Sequence, residues 1–284
     1  MLKAQPINDL SSSLTSSNSP NNASSSTCKL AHVQARATGS YSSPSDFDRQ
    51  DPSSDSGFYS TPRFVNHIDD AAIATLREYY NTVLPRKGRI LDFCSSWVSH
   101  YPSAVEQAAA SGELKVTGMG MNKAELDANK VLNNGRVLAD LNDSPEVAAA
   151  LCDAKLISDD SEYLDASTNV VSTDYLTQPV EVLKSLRSVT KNGGTVHLTI
   201  SNRCFPTKAI RRWLQCSEDE RLQMIGDYLH FAGWKEIEIV ELSNGKVADG
   251  GAGEGQQAGN LQSLMGWMGM NHRDPLWVVR ATKT

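Results

Sequence analysis

The sequence predicts an α/β protein: a mainly parallel sheet of seven strands, helices on both faces, and a last strand running antiparallel. Three observations predict it. Short apolar runs alternate with stretches of helical periodicity, joined by short connections, from about residue 70 onward. The strand runs are rich in β-branched and aliphatic residues, as strands covered on both faces require. The rhythm breaks only near the end. There "KEIEIVELS" (235–243) and "DPLWVVRATK" (274–283) are strands with no helical pattern between them, so the second inserts antiparallel beside the first.

The elements follow in order. Asp69 or Asp70 caps a helix over "AAIATLREYYNTVL", with Ile73, Leu76, Tyr80 and Leu84 on one face; Pro85 and Gly88 stop it. "GRILDF" (88–93) is a short buried strand. "SAVEQAAASG" is helical and ends at Gly112, and "LKVTGMG" (114–120) is a strand ending in glycines. "KAELDANKVL" (123–132) is a helix and "GRVLADL" (135–141) a strand. "SPEVAAALCDAKLI" (144–157) is a helix with Pro145 in its first turn. "TNVVSTDYL" (168–176) is a strand running into a loop. "PVEVLKSLRSVT" (179–190) is a helix with Val180, Val182, Leu183, Leu186 and Val189 apolar. "NGG" (192–194) reads as a turn before the strand "TVHLTIS", and "AIRRWLQC" and "SEDERLQMIGDYLHFAG" read as helices. "ADGGAGEGQQAG" (248–259) is a flexible excursion, and "LMGWMGM" (264–270) is an apolar lid or a loop packed on the core.

Residues 1–56 are expected to be a disordered Ser/Asn-rich segment, because they carry too few large apolar residues to offset the entropy of ordering. Residues 57–284 form the folded domain. Before Asp46 the segment is acid-poor and mildly basic, with Lys3, Lys29 and Arg36, and "HVQARA" (32–37) resembles the cleavage region of a chloroplast transit peptide. The alternative is a tail kept on a cytoplasmic protein. The formal charge of −6 over 284 residues argues against a general nucleic-acid binder, and no apolar run has transmembrane length. Cys28, Cys94, Cys152, Cys204 and Cys216 form no CxxC, and the histidines are scattered, so reduced thiols and no metal site are expected.

Three stretches carry a resemblance: "RILDF", "VTGMGMNKAEL" and "STDYLTQPVEVLKSLRSVTKNGGTVHLTISN". In order and spacing they resemble the Rossmann-like S-adenosylmethionine (SAM)-dependent methyltransferases, from about residue 57 to the C-terminus. "SSWVSHYP" and "SNRCFPTKAI" look like a divergent branch of that family. The resemblance implies SAM as cofactor and a small-molecule methyl acceptor. It places Asp92 at the acidic residue that fixes the cofactor loop, which here reads Cys94, Ser95, Ser96, Trp97 with no glycine. It places Gly118, Met119 and Gly120 at the end of the second strand. The acidic residue expected there for the ribose hydroxyls is missing from position 120, and Asn122 is the substitute acceptor. Asp140 and Leu141 match the adenine contact. Thr173, Asp174 and Tyr175 match the loop facing the sulfonium and substrate.

Those departures have magnitudes. Hydrogen bonds to a charged acceptor are worth roughly 1.5–3 kcal/mol against about 1 for neutral ones. Losing the ribose carboxylate therefore costs about tenfold to a hundredfold in affinity. A non-glycine residue at positive φ costs about 1–2 kcal/mol, so a loop without glycine is expected to turn with ordinary negative φ. Each residue also has a plain structural reading. Asp92 could cap the next helix, Trp97 could pack, and His100 and Tyr101 could be a buried pair under the loop rather than pocket residues. Asp140 could serve its turn. Asn202, Arg203 and Lys208 could orient an anionic or carbonyl-bearing substrate or sit in a solvated loop. Asp174, Tyr175 and His100 are the candidates for a catalytic base, and Arg203 is the preferred substrate contact. Three functions are weighed. The first is a SAM-dependent methyltransferase acting on a small molecule. The second is a non-catalytic methyltransferase-like binding or regulatory protein. The third, a dehydrogenase on a similar sheet, is disfavoured because no G-x-G-x-x-G follows the first strand.

Overall fold

The computed structural model describes residues 29–32, 43–158, 163–245 and 273–284. In chain order the elements begin with β1 (Lys29–His32), α1 (Asp55–Phe58), α2 (Asp70–Val83), β2 (Gly88–Phe93), α3 (Ser103–Ala110) and β3 (Leu114–Gly120). Then come α4 (Lys123–Ala128), β4 (Gly135–Leu138), α5 (Val147–Asp153), β5 (Leu164–Val170) and α6 (Pro179–Ser188). The chain finishes with β6 (Thr190–Ser201), α7 (Arg211–Gln215), α8 (Glu218–Phe231), β7 (Lys235–Ser243) and β8 (Leu276–Thr282). The sheet order is β1-β7-β8-β6-β5-β2-β3-β4. β2 pairs in parallel with β3 and β5, and β8 lies antiparallel between β6 and β7. The seven expected strands are thus β2 to β8. β1 adds an eighth at the edge, antiparallel to β7.

Each expected helix is present, but several are shorter. Asp69 caps α2, accepting the Ala72 N–H at 2.7 Å. The residues expected on its apolar face, Ile73, Leu76, Tyr80 and Leu84, are all buried. α4 stops at Ala128 rather than running on to 132. Asn129 leaves the helix to donate its amide to the Ser96 carbonyl and the Ser99 hydroxyl, at 3.0 and 2.9 Å. The "NGG" stretch is not a separate turn. It lies inside β6, where the register slips between Leu164 and Ala166, and the Gly193 N–H meets the Lys283 carbonyl at 2.7 Å. The glycine-rich excursion at 248–259 and the apolar "LMGWMGM" lie outside the described residues.

Order begins earlier than the composition suggests. Residues 43–56, assigned from sequence to the disordered segment, are fastened to the domain mainly by charge, with Phe47 packed against the core beside Tyr228. Lys208 is fully buried and its ammonium meets Asp51 Oδ2 at 3.0 Å, Asp55 Oδ1 at 3.2 Å and the Ser53 carbonyl at 2.8 Å. Asp55 also accepts from Arg49 at 2.7 Å and from Asn142 at 2.8 Å. Burial alone would raise the Asp55 carboxyl, but the Arg49 and Asn142 hydrogen bonds outweigh it and hold the group below the ordinary range. Lys208 is therefore a structural anchor, not a substrate contact. Backbone bonds from Asp51 to Thr207 and from Arg211 to Asp48 complete the attachment.

The chain starts the parallel sheet at β2, builds outward through β3 and β4, then returns to β5 on the other side of β2. The switch point between β2 and β5 opens a crevice at the carboxyl ends of the strands, where such sheets bind ligands. Removing one member of a buried ion cluster costs about 3–5 kcal/mol. Lys208→Met should lower stability by about 3 kcal/mol in urea unfolding, with residues 43–56 becoming protease-sensitive before the sheet unfolds. Wild-type stability in that variant would show the anchor to be idle.

Candidate active site

The sheet register puts Asp92 between Gly118 on β3 and Thr168 on β5. Its carboxylate is 3% exposed and accepts three hydroxyl hydrogen bonds. Ser95 and Ser99 each donate to Oδ2 at 2.6 Å, and Thr168 donates to Oδ1 at 3.0 Å. Tyr101 OH lies 2.6 Å from the Thr168 hydroxyl and extends the network below. Burial pushes the Asp92 carboxyl up, and the three hydroxyls act against that rise. A loop without glycine is thus tied down by side chains.

The path of the loop corrects one expectation. Cys94 has φ +53° and His100 φ +54°, so the loop begins and ends in the left-handed region; Val171, after β5, has φ +44°. Such positions cost about 1–3 kcal/mol each and cluster at functional sites. Between them the Ser95 N–H donates to the Met119 carbonyl at 2.7 Å. The Ser95 carbonyl presses on Gly120, where an added Cβ would stand 2.2 Å from it. An acidic residue at position 120 has no room. The loop backbone fills the place where the resemblance expects a ribose-binding carboxylate.

A cavity of about 370 Å³ lies at this switch point. Its floor and walls come from the loop after β2, the ends of β3 and β4, the turn after β5 and the loop after β6. A strap, residues 59–68, covers it with Tyr59, Arg63, Val65, Asn66, His67 and Ile68. The strap is held by Asn122, whose amide donates to the Tyr59 and Ser60 carbonyls at 2.8 and 3.2 Å. It is also held by Trp97, whose indole N–H donates to the Val65 carbonyl at 3.2 Å. Glu125, in the first turn of α4, takes the Arg63 N–H at 2.6 Å and the Ser96 hydroxyl at 2.8 Å.

Asp92, Cys94, Ser95, Ser96, Trp97, His100, Met119, Asn122, Asp140, Leu141, Tyr175 and Arg203 all line the cavity. The other candidates do not. Gly118 is a packing position, since a Cβ there would meet Leu132 at 2.3 Å. Thr173 is buried and donates to Asn169 at 3.0 Å; Ser172 takes its place in the wall. Tyr101 is buried beneath Asp92, so the structural reading holds for it and not for its neighbour His100. Asn202 is exposed and outside the cavity. Asp174 is buried behind the wall, with one carboxylate oxygen lacking any partner among the described residues.

One of the proposed bases that does line the cavity is poorly suited. The Tyr175 hydroxyl accepts the Phe205 N–H at 2.8 Å, which favours the phenolate, but burial outweighs that bond and raises the pKa, so the hydroxyl keeps its proton. Asn122 is no spare acceptor either: its amide oxygen caps α4 through the Glu125 N–H at 3.1 Å. His100 is neutral, because burial and then Arg77 lower its pKa to about 4. Sequence reasoning passed over Glu125 and the strap; a first-turn glutamate and a polar pre-helix stretch look ordinary in any α/β chain.

No family model matches the chain, and no curated protein does. Solved structures match in backbone path. A SAM-dependent methyltransferase from Archaeoglobus fulgidus is 13% identical with a TM-score of 0.47, over 75% of this chain and 95% of that one. Phosphoethanolamine N-methyltransferase 2 from Haemonchus contortus, in complex with SAM, is 13% identical with a TM-score of 0.42. That match covers 74% of this chain and 52% of the other, so the chain spans about half the length of that protein. A SAM-dependent methyltransferase from Thermotoga maritima is 15% identical with a TM-score of 0.44, over 75% of this chain and 91% of that one. At these identities the likeness is of backbone path, and what the cavity binds is read from its residues.

Two outcomes follow from the site. Burial pushes Asp174 to about 8, against about 4 in an unfolded chain. Between those values the folded state holds a proton that the unfolded state has lost, so stability falls as pH rises. Asp174→Asn should match wild type near pH 4 and exceed it increasingly toward pH 8 in denaturant titrations; a constant difference across that range would refute the assignment. Gly120→Ala should destabilise by about 1–3 kcal/mol through displacement of the Ser95 carbonyl, measurable by thermal unfolding.

Proposed function

We propose that the cavity holds SAM and that the protein transfers its methyl group to a small molecule. The observation that supports this most directly is the Asp92 cluster at the switch point, where a buried carboxylate fixes a loop facing a ligand-sized cavity. When bound, the cofactor supplies an electrophilic methyl group on a sulfonium.

The residues present fit such a group. Three carboxylates, Asp92, Asp140 and Glu125, stand on the cofactor side of the cavity and suit a ligand with net positive charge. Asp140 has Oδ1 bonded to the Asn142 N–H at 2.9 Å, which aims the carboxylate that would accept the adenine amino group. Met119, Ala139 and Leu141 give apolar walls beside it. Glu125 is the acceptor for the ribose hydroxyls: its oxygens already take the Arg63 N–H and the Ser96 hydroxyl, but an ionised carboxylate keeps further lone pairs, more than the single amide oxygen of Asn122. Trp97 offers an indole face to the sulfonium, since tryptophan is the best aromatic partner for a cation.

What the chain itself contributes is placement and exclusion of water. The strap roofs the cavity, and its anchors on Asn122 and Trp97 join the roof to the cofactor side. With Tyr175 holding its proton and Asp174 outside the wall, neutral His100 is the remaining base among the three candidates. Calorimetry on the full chain tests the reading. SAM and S-adenosylhomocysteine should bind with micromolar affinity, and Asp140→Ala and Trp97→Ala should each weaken binding about tenfold. Silence at millimolar cofactor ends the proposal. Binding without methyl transfer to any acceptor selects the non-catalytic alternative.

A further inference from the structure

The part of the cavity walled by the strap and the loop after β6 has a charge balance of its own. Arg203 has its Nε bonded to Asp274 at 2.8 Å, and Asp274 is buried, so that charge is already matched. Asp55 is matched by Arg49 and Lys208. Burial lowers the pKa of both His67 and His100, and neither adds charge near neutral pH. Arg63 is the exception. It forms no ion pair among the described residues, and Glu125 meets its backbone N–H rather than its guanidinium.

The Arg63 side chain is nonetheless held. Its guanidinium carbon lies 4.5 Å from the centre of the Phe58 ring and 5.5 Å from that of Phe205. One terminal nitrogen donates to the Phe58 carbonyl at 3.1 Å. The two rings and the Phe58 carbonyl hold the guanidinium, and its other donors are uncommitted among the described residues. A part-buried cation held this way is costly to desolvate unless an anion meets it. Phe205 is also the centre of an aromatic wall: its ring centroid is 5.4 Å from Phe58, 5.3 Å from His67 and 6.0 Å from Tyr175.

Resting on the methyltransferase reading, we propose that the acceptor is a small carboxylate with a flat apolar body, its carboxylate paired to Arg63 and its body against Phe205. One unmatched positive charge suits a monoanion. A phosphate dianion would call for a second free cation, and Arg203 is committed to Asp274. Guanidinium and carboxylate are geometrically matched for bidentate pairing.

Benzoate, benzamide and benzylamine share the flat body and differ in charge, so they serve as probes. Each is titrated calorimetrically into the full chain, with and without saturating S-adenosylhomocysteine. Benzoate should bind about tenfold tighter than benzamide, with benzylamine weakest. Arg63→Gln should erase the difference, and Arg63→Lys should keep part of it. The proposal is overturned if benzoate binds no tighter than benzamide, or if its advantage survives Arg63→Gln. It is also overturned if Arg63→Gln weakens S-adenosylhomocysteine by the same factor, for the guanidinium would then serve the cofactor's own carboxylate. Should Arg63→Gln fail to fold, the Lys variant and the wild-type probe series still decide. If S-adenosylhomocysteine does not bind while benzoate keeps its Arg63-dependent advantage, the methyltransferase reading falls and the anion subsite stands. If the cofactor binds and no advantage exists, the subsite alone falls.

Discussion

A single buried carboxylate organises the ligand edge of this sheet. Asp92, next to last in β2, has three hydroxyls pointed at it, from Ser95, Ser99 and Thr168. Hydrogen bonds to a charged acceptor are worth roughly 1.5–3 kcal/mol each, which offsets the burial that raises the group's pKa. Glycine-rich cofactor loops bring bare backbone close to a ligand. This loop is instead stitched down by its own side chains. The consequence reaches the next strand: the Ser95 carbonyl is driven against Gly120, and any side chain there must displace it. The missing acid at position 120 is therefore a steric result of the loop's path.

The strap depends on the same loop. Ser96 bonds Glu125, Glu125 bonds the Arg63 backbone, and Trp97 bonds the Val65 carbonyl. Upstream, the strap is continuous with residues 43–58, whose hold on the domain is the buried ammonium of Lys208. This polar, serine-rich stretch packs Phe47 beside Tyr228 and otherwise docks by charge. Breaking such pairs by removing one partner is far more costly than the pairs are worth against an apolar replacement. The cavity roof is consequently held at its Lys208 anchor and along the Asp92-organised loop.

The sheet was legible in the sequence because strand and helix periodicity is local, and every expected strand from "GRILDF" onward is present. Helix ends were less legible. Asn129 leaves α4 to bond the Ser96 carbonyl and Ser99, a demand made by a loop distant in sequence. At the site, positions at the carboxyl ends of strands were identifiable from strand pattern alone. Which neighbour faces the cavity was not, because residues 94–102 and 171–178 are irregular or tightly turned, and no strand period sets the direction of their side chains. Hence Ser172 lines the wall while Thr173 and Asp174 lie behind it, and His100 lines it while Tyr101 supports Asp92. Lys208 with Asp55, and Glu125 with Arg63, join chain segments with no periodic signal linking them. No local pattern could have paired them.

Strain shows where this architecture is directed. Cys94, His100 and Val171 are three of five non-glycine residues with positive φ among the described residues, and all three line the cavity. Val171 is β-branched, for which this conformation is a genuine outlier. Glycine at any of the three would relieve the backbone at no steric cost. Retaining side chains there is explicable if they shape the cavity wall: Cys94 beside Asp92, His100 closing the loop, Val171 opening the turn that carries Tyr175. Strain of about 1–3 kcal/mol per residue persists only when the surroundings over-determine it. Here the surroundings are the Asp92 hydroxyl cluster on one side and the β5–β6 pairing on the other, where the Val171 N–H meets the Thr199 carbonyl at 2.9 Å. The stable centre of the sheet thus holds a strained rim in place, as a preformed ligand site requires.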